Sequence, residues 1–238
     1  MLWKDGKKKA LTLSYDDAVI HDRRLIDLLN KYGIRCTFNL DSGKFSDEKI
    51  DIDYSLTPVE KMKHVTVGRA EVASLYKDHE IASHTVNHPW LNKLTDDEII
   101  SEVRNDVDAL SDIAGYDVRG FAYPFGAYDE RIEEVLKRCG VVYARTVNST
   151  HAFTLPENYL EWHPTCHHDD EKLFDLAEEF LNSDKEGDIF YLWGHSYEFY
   201  MNGNWDRIEK FLKLMSDNKD KIWFATNIEI YDYARKAK

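Results

Sequence analysis

The chain has 238 residues, a length that α/β barrels fill as one domain and that buries roughly 70% or more of the unfolded surface, so folding needs no disulfide. Its three cysteines, Cys36, Cys139 and Cys166, are an odd number without C-x-x-C spacing, which argues against a disulfide framework or a cysteine-rich metal site and fits a reducing compartment. A formal net charge of −13 argues against nucleic acid and strongly anionic polymers as partners, because phosphate-binding surfaces are basic.

The N-terminus reads MLWKDGKKKALTLSYDDA, a basic stretch followed by a few apolar residues that run into two aspartates. That pattern is unlike a signal peptide, and no run reaches the ~18 apolar residues of a membrane span, so a cytoplasmic protein is expected. KALTLS predicts a first strand, RRLIDLLNKY a helix stopped by Gly33, and CTFNL a second strand, which sets a β-α-β rhythm. Residues 41–68 are polar and poorly patterned, too long for an ordinary connection, and read as an insertion near the mouth or a flexible segment. AEVASLY predicts a helix leading to the short strand EIAS. Thr95 and Glu98 form a capping box for a long helix that ends at Gly115, and the strand FAY follows. Asp129 opens a helix through IEEVLKR that Gly140 closes, and VVYARTV is the next strand. DEKLFDLAEEFL and DRIEKFLKLM are helical, DIFYLW and KIWFAT are strands, and Thr226 with Glu229 caps a C-terminal helix. About seven strands alternating with helices, with no repeat or linker, predict a single domain over 1–238: a barrel of parallel strands. An open doubly wound sheet is the alternative, but no Gly-rich nucleotide fingerprint supports it.

The polar clusters sit where an apolar run ends and a helix has yet to begin. Asp16 and Asp17 follow LTLSY, His84 and His88 follow EIAS, Pro124 to Gly126 follows FAY, and His195 follows IFYLWG. In a barrel these are positions on the C-terminal rim, so they are expected to form one site. Histidines at i and i+4 can put two imidazoles on one side of a helical turn, and Asp17 would complete a two-histidine, one-carboxylate set with open coordination positions. Asp16 would then be free to act as a base. Capping of the next helix accounts for one of the two aspartates more readily than for both.

These residues resemble the polysaccharide deacetylases. T-L-S-Y-D-D-A resembles the family's T-F-D-D-G motif, S-H-T-V-N-H its H-S/T-x-x-H/S motif, F-A-Y-P-F-G a form of its third motif, and L-W-G-H its late leucine-and-histidine motif, in the same order over residues 10–196. The resemblance implies a distorted (β/α)7 barrel in which Asp17, His84 and His88 hold a divalent metal, zinc first, with cobalt, nickel, iron or manganese also suited to the ligands. It also implies Asp16 as general base, His195 as general acid, and an oxyanion and substrate site at Tyr123, Pro124 and Phe125, the Phe125 backbone helping to hold the oxyanion. The implied reaction removes acetyl groups from an N-acetylated sugar or related small molecule by attack of metal-activated water on the amide.

The departures are as specific as the matches. Ala18 replaces the usual glycine, which predicts a non-positive φ there. Ala122 stands where many members carry the arginine that orients the base, and Arg119 would point to the opposite face of its strand, which leaves Asp16 without an assigned partner. Glu198 is a candidate to orient His195, although it reads first as an exposed glutamate on a loop. His167 and His168 read as polar loop residues before a helix capped by Asp169 or Asp170, and His21, His64, His79, His151 and His163 have no supporting pattern. The aromatic residues around His195 (Trp193, Tyr197, Phe199, Tyr200 and Trp205) read as core before sugar platform. Two other readings stand beside the deacetylase: a hydrolase of cyclic amides or ureides on the same fold, and a non-catalytic carbohydrate-binding protein. Oligomeric state has no signature in the sequence.

Overall fold

The computed structural model describes residues 1–48, 50, 59–62 and 64–236. Most of the centre of the segment read as an insertion therefore lies outside the described residues. The strands are β1 (Lys9–Asp16), β2 (Thr37–Leu40), β3 (Glu80–Ser83), β4 (Gly120–Ala122), β5 (Tyr143–Arg145), β6 (Cys166–His167), β7 (Asp188–Gly194) and β8 (Ile222–Phe224). Between them run α1 (Asp22–Tyr32), α2 (Val59–Met62), α3 (Val72–Leu75), α4 (Asp96–Ala114), α5 (Glu130–Arg138), α6 (Leu173–Asn182), α7 (Ser196–Met201), α8 (Trp205–Ser216) and α9 (Asn227–Lys236). The strands are parallel in the order β5-β4-β3-β2-β1-β7-β6. This is the distorted (β/α)7 barrel. One edge of β1 is divided: Lys9 to Leu11 pair with β8 and Ser14 to Asp16 pair with β2.

The end strands are linked by the segment before β6. The Trp162 N–H donates to Ala144 O and the Thr146 N–H to Trp162 O, while Thr165 and His168 donate to Tyr191 O and Trp193 O of β7. Hydrogen bonding thus runs from β5 round to β7, although β6 itself has only two residues.

Alternation along β1 divides the molecule into layers. Leu11, Leu13 and Tyr15 face outward into an apolar cluster with Leu25 and Leu29 of α1 and Ile208, Phe211 and Leu212 of α8. Ala10, Thr12, Ser14 and Asp16 occupy the alternate positions and are also buried. Low in the barrel the polar groups satisfy one another. Thr12 Oγ1 donates to Asn227 Oδ1 at 2.6 Å, Thr37 Oγ1 and the Tyr143 hydroxyl donate to the Glu80 carboxylate at 2.7 Å each, and the Ile228 N–H at the start of α9 donates to the same carboxylate at 2.9 Å. The apolar bottom, with Ala10, Tyr143, Trp162, Ile189 and Tyr191, closes the barrel below the rim.

The sequence signals at helix ends correspond to observed caps. Thr95 Oγ1 accepts the Glu98 N–H while the Glu98 carboxylate accepts the Thr95 N–H at 2.8 Å, Asp129 caps α5, and the Thr226 N–H donates to Glu229. Gly33 and Gly115 end their helices with φ of +66° and +74°. The helix expected over AEVASLY is a 3-10 turn followed by the single turn α3.

At Gly120 a side chain has no room: a Cβ would stand 2.2 Å from the Tyr143 hydroxyl, itself held by Glu80. Gly120→Ala is expected to destabilise the protein by about 1–3 kcal/mol through overpacking. Urea unfolding at neutral pH measures this, and an unchanged midpoint would mean that the barrel interior relaxes freely there.

Candidate active site

At the C-terminal ends of the strands, inward-facing side chains from β1, β3, β5 and β7 converge. Asp16, Asp17, His84, His88, Phe125 and His195 line a cavity of about 780 Å³, together with Tyr123, Trp193, Tyr197, Val147, Lys44 and His64. Four sequence-distant clusters thus meet at one rim.

Asp16 ends β1 and is almost fully buried. Its Oδ2 is ion-paired with Nη2 of Arg145, and its Oδ1 accepts from Asn39 Nδ2 at 2.7 Å. Burial alone would raise this carboxyl. The Arg145 guanidinium, with lesser help from His84 and His195, outweighs that and lowers it to about 2. Arg145 is the orienting partner that the sequence left unassigned. It sits on β5 directly opposite Ala122 of β4 in the strand register, so the cation stands one strand away from Ala122 at the same height. Its guanidinium lies 4.5 Å from the centroid of the Trp193 ring. Arg119 instead makes a two-pronged pair with Asp232, at 2.7 and 3.2 Å.

Asp17, His84 and His88 bring one ligand atom each to within 4.8 Å of one another. His84 Nδ1 lies 2.7 Å from Ala122 O, a contact that leaves Nε2 facing Asp17 Oδ1 at 3.9 Å. His88 Nε2 lies 3.8 Å from the same oxygen. Burial holds both imidazoles at about 4, and the charges of neighbouring groups do not reverse this, so both are neutral and can ligate. The donors suit a divalent cation of the zinc type, and the backbone contact of His84 is the outer support such ligands have.

The expected helical turn carrying both histidines is absent. His84 follows β3, and residues 84–90 form a loop in which Thr85 and His88 have φ of +72° and +57°. Side chains of α4 hold this loop. Asp106 accepts Ser83 Oγ at 2.6 Å, the Ser42 N–H at 2.7 Å and the His84 N–H at 3.3 Å, and Glu102 accepts the Asn87 N–H at 2.9 Å. Ala18 also departs from expectation: its φ is +51°, so alanine adopts the left-handed backbone that the usual glycine would.

His195 is the N-cap of α7, with Nε2 3.8 Å from Asp16 Oδ2 and Nδ1 3.3 Å from Glu198 Oε2. Burial disfavours the imidazolium, but Glu198, Asp16 and Asp17 together push it up to about 9. Phe125 has φ +56° at the tip of the third motif, between the ring of His88 at 4.4 Å and that of Trp90 at 4.3 Å. Pro124 is buried before it, and the Tyr123 hydroxyl donates to Leu160 O at 2.9 Å, so the phenol is committed to the core. Trp193 and Tyr197 border the cavity, whereas Phe199 and Trp205 pack in the apolar layer and Tyr200 stacks on His21. His167 and His168 are not loop decoration: both lie against Glu198.

The Asp16–Arg145 pair makes a stability prediction. Arg145→Met leaves a buried carboxylate unpaired, which is expected to cost about 3–5 kcal/mol at neutral pH. Because the Asp16 carboxyl is depressed in the folded state, its contribution is present above its ordinary value and is lost as pH falls towards about 2. The stability gap between parent and variant should therefore be widest at neutral pH and narrow as pH falls towards about 2. Adding Ala122→Arg to Arg145→Ala should recover part of the loss, as read by urea unfolding across pH, and equal stability of parent and Arg145→Met would sink this account.

A family model described as polysaccharide deacetylase matches residues 4–144. A chitin deacetylase of Cryptococcus neoformans is 32% identical over 63 residues, 26% of this chain and 13% of that protein's length. A structure from Mycobacterium smegmatis described as a polysaccharide deacetylase superposes with a TM-score of 0.67 at 16% identity, covering 100% of this chain and 93% of the other. The Streptomyces lividans family 4 carbohydrate esterase in complex with acetate gives 0.54 at 14% identity, with 88% and 91% covered. The Streptococcus pyogenes deacetylase PplD in complex with acetate gives 0.52 at 20% identity, with 63% of this chain and 61% of that one covered. With more than half of its length matched by the family model and its strands in the family's barrel, this chain belongs to the polysaccharide deacetylase family.

Proposed function

We propose that this chain hydrolyses the acetamide of an N-acetylated saccharide, with Asp17, His84 and His88 holding a divalent metal, Asp16 acting as base and His195 as acid. The observation that carries this reading is geometric: on one cavity the Asp16 carboxylate is ion-paired with buried Arg145, and the His195 imidazole is backed by Glu198 at 3.3 Å. A cavity of about 780 Å³ has room for a sugar ring as well as its acetyl group.

When bound, the metal supplies Lewis acidity, which lowers the pKa of water and polarises a carbonyl. The protein's own groups do the rest. Arg145 and Asn39 fix the Asp16 carboxylate, which accepts the proton of the attacking water. The backbone amide of Phe125, beside the turn closed by Gly126 N–H donating to Tyr123 O, would support the developing oxyanion. An amine leaves poorly without a proton. His195, with Nδ1 towards Glu198, presents Nε2 to the cavity and delivers that proton. No helix among the described residues is long and apolar enough to cross a membrane.

Asp16→Asn and His195→Ala should each lower acetate release from an N-acetyl sugar panel by about 10²-fold or more while metal content stays at the parent level. Asp17→Ala, His84→Ala and His88→Ala combined should abolish both. Acetate release by a metal-free triple variant would refute the assignment, and metal binding without acetate release from any sugar would move the reading to cyclic amides.

A further inference from the structure

Beside the acid lies a second group of ligand-type side chains. His167 ends β6 and its Nε2 is 3.1 Å from Glu198 Oε2. His195 Nδ1 lies 3.3 Å from the same oxygen, and His168 Nε2 also lies 3.3 Å from it. The His195 N–H donates to it as well, at 3.0 Å. Four nitrogens therefore crowd one carboxylate oxygen that has two lone pairs. His168 is fully buried, stacked on Tyr15, and neither of its ring nitrogens has a hydrogen-bond partner. Nor can its ring retreat, since it packs so closely on Gly194 that a Cβ there would stand 2.0 Å from Nδ1. An unpartnered buried imidazole thus points at the oxygen where two partly exposed imidazoles already meet.

Crowding of this kind suits a cation better than it suits protons. Tetrahedral ligands ~2.0–2.1 Å from zinc stand ~3.3 Å from one another, and the separations from Glu198 Oε2 to His167 and His195 are 3.1 and 3.3 Å. His167, His195 and Glu198 also satisfy mutual proximity within 4.8 Å, as the Asp17, His84 and His88 set does.

We propose that His167, His195 and Glu198 form a second divalent-cation site, distinct from the Asp17, His84 and His88 set, whose filling inhibits the enzyme. Ligation through Nδ1 displaces the proton that this nitrogen turns towards Glu198 and leaves the ring neutral. The remaining Nε2–H is then no acid, because losing it would create an imidazolate. Metal in excess of the first equivalent withdraws the leaving-group proton while the Asp16–Arg145 pair stays in place.

The binding half of this inference stands alone, while the inhibition half rests on the acid role proposed above. The test counts Zn2+ bound to the whole chain after equilibrium dialysis, with circular dichroism to confirm folding. The parent should bind two equivalents, and His167→Ala and the more conservative His167→Gln should bind one. In the parent, acetate release should fall by about 10²-fold as the second equivalent fills, the share an acid supplies, and both His167 variants should escape that fall. A parent that saturates at one equivalent, or folded His167 variants that retain two, would overturn the site whether or not any acetate is released. Two equivalents with undiminished acetate release would overturn the inhibition alone.

Discussion

A carboxylate taken out of water at the end of a strand must be paired or it will take up a proton, and the mouth of this barrel is organised around the pairing of Asp16 with Arg145. The two residues lie on β1 and β5, which have three strands between them in the sheet, so the contact crosses the barrel interior. It is the site's own bridge between the centre of the sheet and its edge. Arg145 is in turn placed by Trp193, whose ring lies under the guanidinium, and Asp16 by Asn39 of the adjacent strand. Removing any of these would disturb more than the ion pair. Asp16 also faces His84 and His195, each within 3.9 Å, so its charge state sets the field in which both imidazoles titrate.

Backbone strain is collected around the same rim. Of the seven non-glycine residues with positive φ among the described residues, five are Asp17, Ala18, Thr85, His88 and Phe125. A left-handed conformation costs a non-glycine residue roughly 1–2 kcal/mol, and it persists where surrounding contacts overdetermine it. Those contacts are visible. The Asp17 N–H donates to Asn39 O, the His88 N–H to Thr85 Oγ1, and Phe125 is clasped between Trp90 and His88. The strain aims Asp17 and His88 at the cavity, which extended or helical backbone at those positions would not do.

Much of this was legible in the primary structure, because the physics involved is local. Helix caps at Thr95, Asp129 and Thr226 and the glycine stops at Gly33 and Gly115 follow from side-chain chemistry within a few residues. Polar residues terminating apolar runs marked the rim. The features that escaped depend on contacts between distant segments. Arg145 interrupts the apolar run VVYARTV, a visible signal, but its partnership with Asp16 exists only once β5 is wrapped opposite β1. Asp106 likewise breaks the apolar stripe of α4 formed by Ile99, Val103 and Leu110, and supports the loop of His84 across 22 residues. The two-residue β6 and the six-residue α7 are too short for periodicity to declare them. Ala18 shows the reverse: local preference disfavours its φ, and tertiary contacts override that preference.

Neighbouring strands carry the proposed base and acid, for Tyr15 of β1 pairs with Gly194 of β7 one residue before each. Distance therefore cannot be what gives Asp16 and His195 their opposite proton affinities. Their nearest atoms are 3.8 Å apart, and an isolated carboxylate and imidazole so placed would simply form an ion pair. The division of duties comes from the second partner of each. Arg145 pairs with Asp16 from the barrel interior, and Glu198 stands 3.3 Å from His195 at the start of α7, so each group has an opposite charge behind it. The face each turns to the cavity then remains available to substrate. The base and acid roles proposed for two residues on adjacent strand ends thus rest on the arginine that the fold brings from β5 behind one and the glutamate from α7 behind the other.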